Sequence, residues 1–295
     1  MNSAVIAGIS HKGGTGRSVT LANLAFHLHR NHFANVCIVD LDLASPTMGA
    51  IFKVEELRKG IETPATRGNP KSTHDILLQR PASIDQAFFD LRSKIDKGVS
   101  PYINKAKKFS IIPGRAGTGD WKDKHEHLMS RLTTFLRKLR ASNYDFILLD
   151  VRSGISDVFE ALDDEATALI DMFLVHTRWT PQHLSGLQAL LESNIFTNLG
   201  GAKERVGIVR TAYISPTSAT AKRVDGALQD QLHDISWSGG TLRNENNAFI
   251  GTIPMAERLQ WEEAILPPPS ETDTHADTYH AFEELASKLA SRLRG

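Results

Sequence analysis

The chain has 295 residues, enough for one large α/β domain or two small ones, and 41 % of them are apolar, as in ordinary globular proteins. Basic and acidic residues number 34 each, so the net charge is zero and the chain lacks the positive field of a dedicated nucleic-acid-binding protein. Its single cysteine, Cys37, excludes an internal disulfide and a site built on several thiols. No apolar run approaches the ~18–20 residues that span a bilayer, and the N-terminus lacks the features of a signal peptide, so we expect a cytoplasmic protein.

Short apolar runs rich in β-branched residues alternate with longer amphipathic stretches. Most of the runs are continuously apolar, which is typical of strands that are covered on both faces. The alternation predicts a doubly wound, mostly parallel α/β sheet of seven or eight strands with helices on both faces. The runs that we predict to be strands are residues 4–9, 36–39, 109–112, 146–149, 172–175, 206–209 and 249–253. Helical periodicity between them is clearest at residues 19–28, at residues 128–139 and after Pro181.

Two stretches interrupt this alternation. Residues 59–73 form a polar loop, rich in proline and glycine, that is too long for a routine connection. Residues 214–247 combine a Ser/Thr/Pro opening, a helical stretch and a glycine-rich turn, and we interpret them as an insertion before the last strand. Because no linker divides the chain, we predict a single domain over residues 1–295.

The first predicted strand runs directly into the glycine-rich sequence S-H-K-G-G-T-G-R-S at residues 10–18, which a helix follows. The backbone N–H groups of such a turn and the positive end of the helix can hold phosphate oxygens. Ser18 is placed to coordinate Mg²⁺, and a cation at position 17 can reach the β- and γ-phosphates. The general phosphate-loop pattern has glycine and lysine where this chain has His11 and Arg17. An arginine can grip phosphate with two parallel donors, but its larger size leads us to expect slow or absent hydrolysis.

Carboxylates stand at the carboxyl ends of two predicted strands, where parallel sheets bind their ligands. Asp40 and Asp42 are two residues apart on an extended chain, so both can project to the same side. Asp150 ends another apolar strand and can hold the water shell of a magnesium ion. For Asp40 the alternative is a cap on a turn or a helix.

Together these motifs resemble those of the ParA/MinD family of P-loop ATPases. Residues 12–18, K-G-G-T-G-R-S, are similar to the family's deviant Walker A motif, and residues 143–150 are similar to its Walker B motif. The resemblance runs in the expected order from residue 4 to about residue 266. The combination with D-V-R-S-G at residues 150–154 is also similar to a branch of these ATPases from bacterial signalling and conflict systems.

The resemblance implies roles for the matching residues. Lys12 would reach the phosphates of the partner subunit in a homodimer that forms on ATP binding. Asp42 would orient the attacking water, and Arg17 would act at the γ-phosphate. The cofactors would be ATP and Mg²⁺, with the metal near Ser18, Asp40 and Asp150. The residues expected to bind the nucleotide are Lys12, Gly13, Gly14, Thr15, Gly16, Arg17, Ser18, Val19, Arg152, Gly154, Arg210 and Pro254.

Four of these nucleotide-binding residues lie far from the loop in sequence. Gly154 matches the glycine whose backbone N–H meets the γ-phosphate in the family. Arg152 is either a γ-phosphate sensor or the salt-bridge partner of a neighbouring acid. Arg210 stands where the family has an asparagine–arginine pair that reads the purine, so the base specificity is open. Pro254 closes a G-x-I-P sequence, which borders the adenine in the family.

We therefore predict an ATP-dependent dimer switch with slow ATP hydrolysis that acts in partition, positioning or signalling, with a protein partner that regulates the ATPase. The alternative is a nucleotide sensor or adaptor without hydrolysis in a bacterial signalling or defence system. A bacterial tyrosine kinase on this scaffold would carry clustered tyrosines near its C-terminus, where this chain has only Tyr279. An electron carrier resembling nitrogenase reductase needs two cluster cysteines in each subunit, and one cysteine excludes it.

The C-terminal segment is amphipathic. Phe282, Leu285, Leu289 and Leu293 share one face of the predicted helix, with basic residues nearby. This face could anchor the chain to a membrane, or the helix could contact DNA, but the neutral net charge supports neither. We expect the face to pack on the sheet.

The twelve histidines do not show the spacing of metal ligands. His27 and His29 are two residues apart, as are His125 and His127, so neither pair shares one face of a helix. We expect the scattered imidazoles to lie at the surface.

Overall fold

The strands and helices of the chain follow the predicted alternation. A computed structural model describes residues 3–43, 45–54, 57, 72–78, 84–114, 125–154, 162–197, 203–237, 240–242 and 248–294. The strands are β1 (Ala4–Ile9), β2 (Val36–Leu41), β3 (Phe89–Asp90), β4 (Phe109–Ile112), β5 (Phe146–Val151), β6 (Met172–Arg178), β7 (Val206–Tyr213), β8 (Ser236–Trp237), β9 (Gly240–Thr241) and β10 (Phe249–Pro254). The helices are α1 (Arg17–Asn31), α2 (Met48–Ile51), α3 (Thr73–Leu78), α4 (His125–Arg140), α5 (Asp164–Ala168), α6 (Pro181–Leu191), α7 (Asn194–Thr197), α8 (Ala219–Asp234), α9 (Glu257–Trp261) and α10 (Ala276–Arg294). Short 3₁₀ turns lie at Ile84–Gln86, Ser100–Tyr102 and Lys203–Arg205.

Eight of the strands form one sheet in the order β10-β7-β6-β1-β5-β2-β4-β3. Every neighbouring pair is parallel except β3 and β4, which pair antiparallel at one edge. One apolar core joins the sheet to α1 and α10, and the other joins it to α4, α6 and α8. The predicted doubly wound α/β sheet with helices on both faces is confirmed. Because the strands are parallel, the carboxyl ends of β1, β2, β5, β6 and β7 meet at the same edge.

All seven apolar runs predicted as strands are strands of this sheet. The eighth strand, β3, is only two residues long and lies at the edge, so it leaves no periodicity in the sequence. Residues 214–247 need a different interpretation from an insertion. Because β7 and β10 are parallel neighbours, the chain between them must cross back over the sheet, and α8 makes that crossover. The small hairpin of β8 and β9 follows α8. Most of the predicted 59–73 loop lies outside the described residues.

The C-terminal helix α10 packs against the body of the protein, as its pattern predicts. Phe282, Leu285 and Leu289 are each about 1 % exposed and contact the core formed with α1 and β10. Two of its basic side chains are engaged within the chain, Lys288 with Glu284 and Arg294 with Asp145. The apolar face is therefore covered. None of the helices that the structure describes combines the length and the apolar character needed to cross a bilayer.

The expectation that the histidines lie at the surface is wrong for α1. His27 and His29 are both completely buried, because the sheet, α2 and α10 surround this helix. His27 meets the ring of Tyr279 edge-on at 4.5 Å, and His29 stacks on Phe109 at 4.7 Å. Burial, with a smaller effect of nearby charges, lowers the pKa of His27 to about 3. The side chains of His125 and His127 lie outside the described residues.

Candidate functional site

The glycine-rich loop between β1 and α1 is open towards solvent. Gly14 and Gly16 both have φ of +73°, a left-handed conformation that other residues rarely adopt. A Cβ atom placed on either glycine would meet no atom within 4 Å. The two glycines therefore let the backbone curve around an open space, which a ligand can approach closely.

The backbone N–H groups that line this space have no protein acceptor. From Gly13 to Val19, no N–H group donates to an acceptor in the part of the chain that the structure describes. α1 begins at Arg17 with no capping side chain and no acidic residue in its first turn. Unpaired N–H groups and the positive end of a 15-residue helix together form a site for an anion.

Two hydrogen bonds, one from the segment after β5 and one from β7, hold the loop in place. The N–H of Gly154, which follows β5, donates to the carbonyl of Ser10 at 2.8 Å. The hydroxyl of Thr211, on β7, donates to the carbonyl of Thr15. The predicted contact of the Gly154 N–H with a γ-phosphate is thus not what this conformation shows. In this conformation the Gly154 N–H holds the start of the loop through its bond to Ser10.

His11 takes the place of the first glycine of the general phosphate-loop pattern, and its ring lies against α6. A Cβ atom on Gly186 of α6 would come within 2.5 Å of His11 Nδ1, so this contact depends on glycine at position 186. Burial, and then the charge of Lys12, lowers the pKa of His11. A neutral imidazole therefore packs beside the loop.

The side chain of Arg17 lies among the carboxylates at the carboxyl ends of the strands. Its side chain is only 8 % exposed, and its Nε lies 2.5 Å from Oδ1 of Asp150. Its Nη1 lies 3.4 Å from the hydroxyl of Ser10, and its Nη2 lies 4.0 Å from Oδ2 of Asp42. The expected position of Arg17 at the γ-phosphate is therefore not the one seen. The guanidinium pairs with the carboxylates instead.

Asp40 caps the turn after β2. Its Oδ1 accepts the N–H of Asp42 at 3.1 Å, and its Oδ2 accepts the N–H groups of Thr47 and Met48 at 3.1 and 3.2 Å. Asp40 is completely buried and is the strand neighbour of Asp150. Burial first, and then the charge of Asp150, raises the pKa of Asp40 above its usual range. The cap that was the alternative for Asp40 is the role this structure shows, and both its oxygens are used in it.

Asp150 and Ser18 offer oxygen atoms that suit a magnesium ion. Asp150 is completely buried, and its Oδ2 has no hydrogen-bond partner among the described residues. Ser18 lies in the first turn of α1, next to Arg17, and its hydroxyl has no partner in that part of the chain. No group of three His, Cys, Asp or Glu residues in the described ranges forms a complete metal site. Proteins commonly hold magnesium with one or two side chains together with water and phosphate.

Lys12 and Arg152 are two cations at the loop without a partner. Both side chains are partly exposed, and neither makes an ion pair or a side-chain hydrogen bond with the residues that the structure describes. The salt bridge that was one of the two interpretations of Arg152 finds no partner there. Two uncommitted positive charges therefore stand beside the anion site.

A cleft of about 380 Å³ continues from the loop along the ends of β6, β7 and β10. Val19 and Pro254, both predicted to contact the nucleotide, line it, with Thr211. Two charged residues of this cleft, Arg178 and Glu263, are not among the site residues predicted from the sequence. Arg178 is the last residue of β6, and a charged residue at the carboxyl end of an apolar strand could have been predicted to lie at the ligand-binding edge. Nothing in the sequence marks Glu263 in this way. The cleft has the size and the partly apolar lining of a ligand site.

Arg210 does not line this cleft, contrary to the expectation. Its guanidinium lies over the rings of Tyr213, Trp179 and Phe249 at 3.8, 4.5 and 5.7 Å, and its Nε bonds the hydroxyl of Thr252 at 3.2 Å. Side chains alternate between the faces of a strand, so Arg210 and its cleft-lining neighbour Thr211 point to opposite sides. Burial lowers the pKa of Arg210. These contacts give it a structural role between β7 and β10.

Comparison with known proteins agrees with this geometry. Residues 2–83 match the model of the ParA family described as NUBPL iron-transfer P-loop NTPase. No match was found among curated proteins. The septum site-determining protein MinD from Pyrococcus horikoshii, complexed with Mg-ADP, is 19 % identical, with 97 % of this chain and 96 % of that chain covered and a TM-score of 0.59. A plasmid partition protein from Borrelia burgdorferi bound to AMPPNP is 17 % identical, with coverages of 98 % and 100 % and a TM-score of 0.62. The MinC:MinD complex from Aquifex aeolicus matches at 15 % identity, with coverages of 98 % and 96 % and a TM-score of 0.61.

Proposed function

Because the chain has the fold of the ParA/MinD-type P-loop NTPases, we propose that it binds ATP with Mg²⁺ and acts as an ATP-dependent dimer switch with slow hydrolysis. The observation that carries this proposal is the row of unpaired N–H groups from Gly13 to Val19 at the start of α1. Such a row binds the phosphates of a nucleotide without a dedicated cationic side chain.

The nucleotide lies along the loop and the adjoining cleft. The N–H groups and the helix end hold the phosphates, and the apolar wall around Pro254 faces the nucleoside. Arg178, at the end of β6, adds a positive charge to the cleft. This arrangement leaves Arg210 outside the nucleotide site.

Ser18 and Asp150 hold the metal. A magnesium ion held there would supply positive charge to the phosphates. We assign Asp40 to the turn that positions Asp42, since backbone N–H groups occupy both Asp40 oxygens. Asp42 lies at the same edge and is the residue that we assign to orient the attacking water.

Lys12 couples the nucleotide to dimerisation. Its partly exposed ammonium has no partner among the described residues, so it is available to the phosphates bound by a second copy of the chain. ATP can drive dimerisation only if the dimer binds ATP more tightly than the monomer does. A lysine that reaches the other subunit's phosphates supplies that difference.

The experiment is the Lys12→Ala variant. We expect it to bind MgATP but to stay monomeric, because the contact to the second subunit is gone, while the wild type dimerises with MgATP and not with MgADP. Light scattering after gel filtration measures the mass. Lys97→Ala, which removes an exposed lysine far from the loop in sequence, is the matched control and should dimerise normally. Normal ATP-induced dimers of Lys12→Ala would remove the proposed role of Lys12.

A nucleotide sensor without hydrolysis is the second candidate, and the pairing of Arg17 with Asp150 favours it. An arginine held by the carboxylates is not placed to stabilise charge at the γ-phosphate, and catalysis depends on that placement. Phosphate release separates the two functions. A rate that Asp42→Ala abolishes supports the switch, whereas turnover equal to the blank supports the sensor.

A further inference from the structure

Arg17 neutralises a buried carboxylate where a nucleotide-bound metal would act. Asp150 is completely buried, and Arg17 is the cation that the described residues place on it, at 2.5 Å. Asp40 and Asp42 lie at the same strand ends, so three carboxylates share this small region. A buried carboxylate without a cation is strongly unfavourable. The nucleotide-free chain therefore depends on Arg17 at this position.

A guanidinium N–H group that donates to Asp150 cannot also donate to a phosphate oxygen. Its Nε is used by Asp150, and its two terminal nitrogens face Ser10 and Asp42. The open space at Gly14 and Gly16, where we propose that the phosphates bind, is separate from these three contacts of Arg17. If Arg17 turns towards bound phosphates, Asp150 loses its cation. If Arg17 stays, the phosphates lack its charge.

A divalent cation removes this conflict, because it can replace Arg17 at Asp150. The buried Oδ2 of Asp150 has no partner among the described residues, and neither has the hydroxyl of Ser18, the residue that follows Arg17 on α1. We propose that Arg17 makes this site selective for the magnesium complex of the nucleotide and against the free nucleotide. The proposal rests on the nucleotide binding proposed above and concerns which form of the nucleotide is bound.

The test is the affinity for ADP, measured by calorimetry with magnesium and with EDTA. ADP excludes turnover. The wild type should lose on the order of 100-fold in affinity when magnesium is removed, at the upper end of ordinary coupling between two ligands. Asp150→Asn should bind metal-free ADP about tenfold more tightly than the wild type, because Arg17 is then released to the phosphates. Removing the Asp150 carboxylate should thus tighten the binding of metal-free ADP. No such gain is expected if Asp150 does nothing but coordinate the metal.

Asp230→Asn is the matched control, since Asp230 is an exposed aspartate on α8, and it should behave as the wild type. Metal-free binding by Asp150→Asn no tighter than that of the wild type would overturn the proposal. If neither protein binds ADP even with magnesium, the proposed function itself fails.

A measurement on the unmodified protein decides the matter if Asp150→Asn does not fold. Magnesium alone should leave the melting temperature of the wild type unchanged, because Arg17 already occupies Asp150, while MgADP should raise it. A rise with magnesium alone would mean that Arg17 does not hold the metal position, and the proposal would be wrong.

Discussion

At the scale of single residues, the substitution of arginine for the usual lysine at position 17 defines the site. A guanidinium has five N–H donors in a fixed plane, so it can face Asp150, Ser10 and Asp42 together, which an ammonium on a thinner stem does less well. These contacts hold Arg17 at the carboxylates, and we propose that a divalent cation has to replace it there before it can turn to bound phosphates.

Arg17→Ala should strongly destabilise the nucleotide-free protein. It leaves the completely buried Asp150 without its cation, and breaking such a pair costs about 3–5 kcal/mol. The free energy of unfolding in urea measures the loss. Arg258→Ala removes an exposed ion pair with Glu262 and should cost less than about 1 kcal/mol. Equal losses in the two variants would mean that the Arg17 pair contributes no more than a surface pair.

At the scale of elements, α1 connects the loop to the core. At its N-terminal end the backbone N–H groups have no acceptor among the described residues, and its remaining length is buried between the sheet and α10. Two histidines, His27 and His29, are completely buried in it. Their rings pack against aromatic side chains, and burial lowers the pKa of both. The folded state therefore disfavours their protonation, which makes the stability of the protein sensitive to acid.

The stability of the protein should fall with acid because of such histidines. The folded pKa of His27 is about 3, below the value of 6.5 for the unfolded chain, so below pH 6.5 the unfolded state binds a proton that the folded state does not. The contribution of His27 is constant above this value and should be lost at about 1.4 kcal/mol per pH unit as the pH falls from 6.5 towards 3. Burial also lowers the pKa of His176, so His176 should likewise make the protein less stable as the pH falls.

His27→Leu tests this by urea unfolding at two pH values. Between about pH 7 and pH 5 the variant should lose about 2 kcal/mol less stability than the wild type, since one protonation of the unfolded chain has been removed. The exposed Val224 provides the control, since Val224→Ala removes no titratable group and should follow the wild type. An unchanged pH dependence of His27→Leu would show that His27 is not held neutral.

At the scale of the whole molecule, the fold was predictable because it depends on apolar patterning. Strands buried on both faces must be continuously apolar, and most of the seven predicted strands show that pattern, although the edge strand β10 does not. The glycine-rich loop was predictable for a related reason, since the conformation of Gly14 and Gly16 is a local property of the backbone. The edge strand β3 and the crossover by α8 were not, because short edge contacts and strand neighbours are set by tertiary pairing.

The side-chain partners in the site could not be predicted from the sequence. Arg17 and Asp150 are 133 residues apart, and only the register of β2, β1 and β5 brings them together. The motif resemblance placed Arg17 at the phosphates, and Arg210 was predicted to bind the nucleotide, but both side chains contact other residues in this structure. Asp40 shows the same effect, since the turn after β2 uses both its oxygens.

We propose that the N–H groups from Gly13 to Val19 hold the phosphates of a nucleotide. Hydrogen–deuterium exchange of the loop peptide with and without MgADP tests it most directly. These N–H groups have no protein acceptor among the described residues, so we predict fast exchange without nucleotide and clear protection with MgADP. Saturating MgADP that leaves the exchange of residues 13–19 unchanged would contradict the account.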